Sequence, residues 1–265
     1  MLVSFQTFGA KAPVYFIHGI TGIMPLGRFF AQSLGPDQPF YAINANGSDG
    51  REITVKEMAH TYAEEIVDSQ PNGPVFIAAM CAGGPIALEV VRELQARGRE
   101  VGPVILVDPP PMPQGVISRN QKVDARNPLV ASQLYQRVRG DLLNCGTQSY
   151  NHLPFAIDDE QQVHLATLAG VRVMVASCRH TPEIFTGAAA VILSPSRAVG
   201  FFHPQMPWAK VLTGKYTAYV LPYDHIEMFR SGRHDLARVL KFILDGANEF
   251  RTPSRKYRPT SLEVG

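Results

Sequence analysis

The chain has 265 residues, 45% of them hydrophobic, enough to bury a full core, and single α/β domains of this size are common. A formal net charge of +2 is too small to imply nucleic acid, and no apolar run approaches membrane-spanning length. Three cysteines, Cys81, Cys145 and Cys178, provide neither a disulfide framework nor zinc spacing, and no metal or cofactor is expected.

Met1-Leu2-Val3-Ser4-Phe5 lacks a basic segment followed by a long apolar stretch, so no signal peptide is expected and the reading is cytoplasmic. Val3–Phe8 reads as an edge strand. Pro13-Val14-Tyr15-Phe16-Ile17 is a short continuous apolar run, as in a parallel strand buried on both faces. It runs into the glycine-rich His18-Gly19-Ile20-Thr21-Gly22. Pro25–Leu34 reads as a helix and Phe40–Ile43 as a strand. Met58, Tyr62 and Ile66 have helical spacing within Val55–Val67, and Thr54 with Glu57 forms a capping-box pattern at its start. Val75–Met80 is a strand, Gly84–Arg97 a helix and Pro103–Val107 a strand that ends on Asp108-Pro109-Pro110-Pro111.

From about 112 to 187 the rhythm breaks into helical segments at Leu129–Leu143 and Asp158–Arg179, with no clear strand. This reads as an insertion over the strand ends, either a lid or a plain helical subdomain. Strands return at Ala189–Leu193 and Tyr216–Leu221, the latter followed by Pro222-Tyr223-Asp224-His225, and Leu236–Leu244 closes the fold as a helix. Residues 1–250 are expected to form one domain, and the basic segment 251–265 a disordered tail. Alternating strands and helices imply an α/β fold with a mostly parallel sheet and right-handed crossovers.

Ala79-Met80-Cys81-Ala82-Gly83 follows the G-x-S-x-G nucleophile elbow with Ala for the first glycine and Cys for serine. The apex residue is strained, so the positions two before and two after it must be small. Ala79 and Gly83 meet that demand. The turn would expose the Cys81 sulfur at a helix N-terminus, where the dipole favours thiolate. Taken alone, the motif is equally compatible with a buried structural cysteine.

Asp108 and His225 also follow strands, and open α/β sheets place their sites at such carboxyl edges. The chain order Cys81, Asp108, His225 is the nucleophile, acid, base order of α/β-hydrolases. Cys81 would attack a carbonyl, His225 would shuttle the proton, and Asp108 would hold the imidazole. Backbone N–H groups of Ala82 and Ile20 would form the oxyanion hole.

These stretches resemble the thioesterase domains of polyketide and nonribosomal peptide synthetases, within the α/β-hydrolase superfamily. The likeness rests on V-Y-F-I-H-G-I-T-G, on G-G-P-I-A-L-E-V-V-R-E-L-Q-A-R-G after the elbow, on V-I-L-V-D-P-P-P, on W-A-K-V-L-T-G around Trp208, and on V-L-P-Y-D-H-I-E-M-F. The resemblance implies release of an acyl chain from the phosphopantetheine of an acyl or peptidyl carrier protein. The family places its acid after the strand following the elbow or one strand later. The later strand ends Leu193-Ser194-Pro195-Ser196-Arg197, with no carboxylate, which favours Asp108. Most members carry serine at the apex. A cysteine keeps the acyl chain activated as a thioester, which suits cyclisation or aminolysis besides hydrolysis.

Two other readings stay open: a cysteine α/β-hydrolase for a free lactone, and a non-catalytic acyl-binding protein. An excised domain and a free-standing enzyme also both stay open. Two expectations concern the insertion. Arg119, Lys122, Arg126, Arg137 and Arg139 form either a solvated face or a carrier-docking face. Of the insertion's apolar residues, among them Leu129, Leu134, Leu142, Leu165 and Val173, some must pack it onto the core and the remainder could line a mostly apolar chamber above Cys81.

Overall fold

A computed structural model of the protein describes residues 1–45, 52–110, 128–147, 153–201 and 207–249. Its centre is a seven-stranded sheet in the order β1-β3-β2-β4-β5-β6-β7. The strands are β1 Leu2–Gln6, β2 Val14–Ile17, β3 Phe40–Ile43, β4 Phe76–Met80, β5 Val104–Val107, β6 Ala189–Leu193 and β7 Tyr216–Val220. β1 pairs antiparallel with β3 at one edge, and the other pairings are parallel.

The apolar runs are continuous because both faces of the sheet are covered. Tyr15, Ile17, Ile77, Ala79, Val104 and Leu106 point to one face, where they meet helices α2 (Val55–Ser69) and α3 (Gly83–Ala96). Val14, Phe16, Phe76, Ala78, Ile105 and Val107 alternate to the other, against α1 (Gly27–Leu34) and the apolar side of α9 (Arg233–Glu249). The period-2 alternation of strands thus splits one run between two half-cores. The capping box of α2 is formed: Thr54 Oγ1 accepts from the Glu57 N–H, and Glu57 Oε2 accepts from the Thr54 N–H.

Two helices, α4 (Pro128–Gly146) and α5 (Glu160–Arg179), lie between β5 and β6 and pack against each other. Residues 111–127, where the insertion begins with Arg119, Lys122 and Arg126, lie outside the described residues, as does the tail 251–265. Three short helices escaped the sequence reading: α6 (Pro195–Phe201), α7 (Pro207–Val211) and α8 (His225–Met228). They are too short for a helical period to show.

β2 lies between β3 and β4, so the chain reverses its direction of travel across the sheet at β2. Such a switch opens a crevice at the strands' carboxyl ends. The loop His18–Gly22 leaves β2 there, and Cys81 leaves β4 beside it.

Candidate active site

Cys81 terminates β4 with φ 49°, a left-handed conformation costly for a residue with a Cβ. The turn is held on both sides. The Cys81 N–H donates to the Val107 carbonyl at 2.9 Å, and the Gly84 N–H donates to the Cys81 carbonyl at 3.0 Å. A Cβ at Gly83 would sit 2.3 Å from the His18 carbonyl oxygen and 3.3 Å from the Ala79 Cβ. The expected smallness of the flanking residues therefore has a direct cause: the β2 loop crosses immediately behind the turn.

Asp108 ends β5 in the same conformation, φ 45°, and its side chain is fully buried. One carboxylate oxygen, Oδ1, accepts the Ser194 N–H at 2.7 Å. The other, Oδ2, accepts from His225 Nδ1 at 2.6 Å and lies 3.2 Å from Arg197 Nε. Arg197 also donates through Nη1 to the Asp108 carbonyl at 2.6 Å. His225 opens α8, whose N-cap Asp224 accepts from the Ile226 and Glu227 N–H groups. The Phe229 ring stands edge-on to the imidazole, centroids 5.6 Å apart.

Nδ1 of His225 is committed to Asp108, and His225 and Cys81 line the same cavity, close enough to act on each other electrostatically. Burial alone would push the Cys81 thiol up. The hydrogen bond to His225, the charges of His225 and Arg197, and the Ala82 N–H outweigh burial and hold it below its ordinary value. Burial alone would lower His225. The hydrogen bonds to Asp108 and Cys81 and the Cys81 charge raise it to about 9. Burial would raise Asp108, but hydrogen bonds from His225 and Ser194 and the Arg197 charge keep it lowered. Both shifts run in the direction of a thiolate and an imidazolium.

The oxyanion expectation involves two loops. Ile20 and Ala82 both line the cavity over Cys81. The first of these loops is pinned by His18, which is fully buried. Its Nδ1–H donates to the Gly19 carbonyl at 2.8 Å, and its Nε2 accepts from the Tyr62 hydroxyl at 2.7 Å. Burial lowers His18 to about 4, so the ring is neutral at physiological pH.

The cavity has a volume of about 540 Å³. Its floor carries Gly19, Ile20, Met80, Cys81, Ala82 and His225; α4 and α5 add Leu134, Arg137, Asp141, Asn144, Cys145, Met174, Ser177 and Cys178. α5 touches the elbow directly, since Ser177 Oγ donates to the Ala82 carbonyl at 3.3 Å. All three cysteines line this one cavity. They differ in chemistry: burial raises Cys145 to about 11 and raises Cys178, whereas Cys81 is lowered.

Residues 12–245 match the family described as thioesterase domain. This chain belongs to the thioesterase domain family. Its similarity to curated proteins is confined to a part of each. The chain is 35% identical to chondramide synthase cmdD of Chondromyces crocatus over 118 residues, 44% of this chain and 3% of the synthase. It is 37% identical to atromentin synthetase nps3 of Serpula lacrymans var. lacrymans over 113 residues, 42% of this chain and 12% of the synthetase. The chain thus spans a small fraction of the curated relatives it matches. Among solved structures, the fold is similar to that of the NocB thioesterase domain in covalent complex with a fluorophosphonate nocardicin G analog. That match has a TM-score of 0.67 at 19% identity and covers 92% of this chain and 99% of that one. The thioesterase family and the mostly parallel α/β sheet expected from the sequence are thereby established.

In this thioesterase domain Arg137 is exposed at the rim of the cavity, and Arg139 is paired with Glu160 at 2.7 Å on the surface. The insertion's apolar residues mostly do not line the chamber. Leu142 joins a small core with Ile23 and Val163, Val173 joins the main core, and Leu129 is exposed. An amphipathic helix has one apolar face. α4 uses much of its own against α5, and the face it turns to the cavity is mostly polar. Glu183 pairs with Lys56 at 2.7 Å, and Asp224 caps α8. Arg197 was missed. Its only signal was its place four residues after the end of β6.

Proposed function

We propose that this thioesterase domain releases an acyl chain from the phosphopantetheine arm of an acyl or peptidyl carrier protein through an acyl-Cys81 intermediate. The reading is carried by one observation: Cys81 and His225 line one cavity at the carboxyl edge of the sheet, and His225 is hydrogen-bonded through Nδ1 to the buried Asp108.

The Cys81 thiolate attacks the thioester carbonyl. The new oxyanion forms beside the Ala82 and Ile20 N–H groups, at the N-terminus of α3. The His225 imidazolium then gives its proton to the departing pantetheine thiolate, and the acyl chain remains on Cys81 as a thioester. This exchange of one thioester for another is nearly isoenergetic. The now neutral His225 takes a proton from the second nucleophile, either water or an amine or hydroxyl, and Cys81 leaves as thiolate. Asp108 keeps Nδ1 protonated throughout, so the other nitrogen is free to accept. Because the acyl group stays activated, amine attack or ring closure competes with hydrolysis.

α4 and α5 act in this reading as a lid within a single domain spanning residues 1–250, and the three free thiols fit a cytoplasmic setting. The test is mass spectrometry after incubation with a carrier-bound acyl chain. Acyl mass is expected on the Cys81 peptide and none on Cys81→Ala. Label on Cys145 or Cys178, or label persisting in Cys81→Ala, rejects the reading. Product analysis with and without added amine separates free acid from cyclised or amide product.

A further inference from the structure

α4 turns Leu134, Arg137, Asp141, Asn144 and Cys145 to the cavity, positions that recur every three or four residues and so share one face. This wall is polar, whereas the floor is largely apolar. Arg137 makes no hydrogen bond or ion pair among the described residues. Arg230, on the α8 side, reaches Glu227 Oε1 only at 4.0 Å, while Glu227 Oε2 accepts from Ser231 Oγ at 2.6 Å. The third guanidinium, Arg197, is committed to Asp108. Asp141 is the only carboxylate among the described lining residues. The fields of the two weakly partnered arginines reach into the cavity: Arg137 acts on Cys178 and Arg230 on Cys145.

A purely hydrocarbon chain filling this space would strip water from both guanidiniums and return nothing, which is costly. An anionic group would pair with them through charge-assisted hydrogen bonds. We propose that Arg137 and Arg230 form an anion subsite in the cavity wall, taking either a carboxylate on the acyl chain or the phosphate of the pantetheine arm. This rests on the thioesterase reading of the same cavity.

Two matched pairs of thioesters test it and separate the two sources. Adipoyl and hexanoyl N-acetylcysteamine differ by a carboxylate on the chain; hexanoyl phosphopantetheine and hexanoyl pantetheine differ by the phosphate on the arm. In the wild type, kcat/KM for the anionic member of one pair should exceed that for its neutral match about tenfold or more, the worth of a charge-assisted hydrogen bond. Arg137→Gln and Arg230→Gln should each move that ratio towards one. The pair that responds identifies the source. No preference in either pair, or a preference that survives both substitutions, overturns the subsite. Calorimetric titration of the unreacted protein with adipate and with phosphopantetheine needs no turnover. Binding that weakens in the variants supports the subsite even if no thioester is cleaved. Turnover without arginine-dependent binding or preference removes the subsite and leaves the thioesterase reading intact.

Discussion

Cys81 and Asp108 are the two non-glycine residues with positive φ among the described residues, at 49° and 45°, and they end neighbouring parallel strands. Their strands pair Met80 with Val107, so the two strained turns lie side by side on one edge of the sheet. Each has its N–H tied to the next strand, Cys81 to the Val107 carbonyl and Asp108 to the Ile192 carbonyl. Strain of this kind persists only where the surroundings over-determine it. Here it aims a thiol and a carboxylate at one imidazole.

The three thiols of one cavity provide their own comparison. Iodoacetamide reacts with thiolate, and Cys81 is lowered while burial raises Cys145 to about 11 and raises Cys178. Peptide mapping at neutral pH should find Cys81 alkylated well before the other two. Alkylation of His225→Ala should slow and shift to higher pH, because the hydrogen bond and the charge that lower Cys81 are then gone. Equal labelling of all three cysteines counts against an activated Cys81.

The pH dependence has a definite sign. His225 is raised to about 9 in the free protein, partly by the Cys81 hydrogen bond and charge. Acylation removes the thiolate charge, so His225 should titrate below about 9 in the acyl-enzyme. Deacylation needs the neutral ring, so its rate should rise with pH through that lower value and then level off. Single-turnover release followed from a preformed acyl-enzyme measures this. A deacylation limb centred at or above about 9 would contradict it.

Asp108→Asn should lower turnover by about a hundredfold or more, since an amide in place of the carboxylate no longer favours the tautomer with Nδ1 protonated. It also leaves Arg197 Nε without its anion. Arg197→Ala should act through the same carboxylate: Asp108 loses one of the influences that lower it, and His225, relieved of an opposing charge, should titrate higher. The His225 shift is measurable by NMR, and an unchanged titration would reduce Arg197 to packing.

Gly83→Ala should cost more than the roughly 1 kcal/mol typical of a point substitution, because the added methyl lies 2.3 Å from the His18 carbonyl and must displace backbone. Thr54→Ala removes one half of the α2 capping box and should cost about 1 kcal/mol, a Tm loss of roughly 2–4 °C for a domain of this size. Thermal denaturation of the two variants checks both, and a smaller loss for Gly83→Ala than for Thr54→Ala would reverse the expected order.

The sequence by itself determined the central strands, the α2 cap, the elbow with its small neighbours, and the order Cys81, Asp108, His225. All of these are encoded over a few residues, in a period of two, a capping pair or the sterics of one turn. The choice of Asp108 over the later strand end rested on the lack of a carboxylate after Leu193, and in the structure His225 Nδ1 lies 2.6 Å from Asp108 Oδ2. Only the tertiary structure decided what surrounds that chain. Arg197 meets Asp108 across 89 residues of sequence, and Tyr62 meets His18 across 44. Likewise the apolar residues of α4 and α5 could serve as chamber lining or as packing until the helices were docked. Docking spends an amphipathic helix's apolar face first, because burial there removes the most hydrocarbon from water. What remains for the cavity is the face carrying Arg137, Asp141 and Asn144, a choice set by the partner helix rather than by the periodicity of α4 alone.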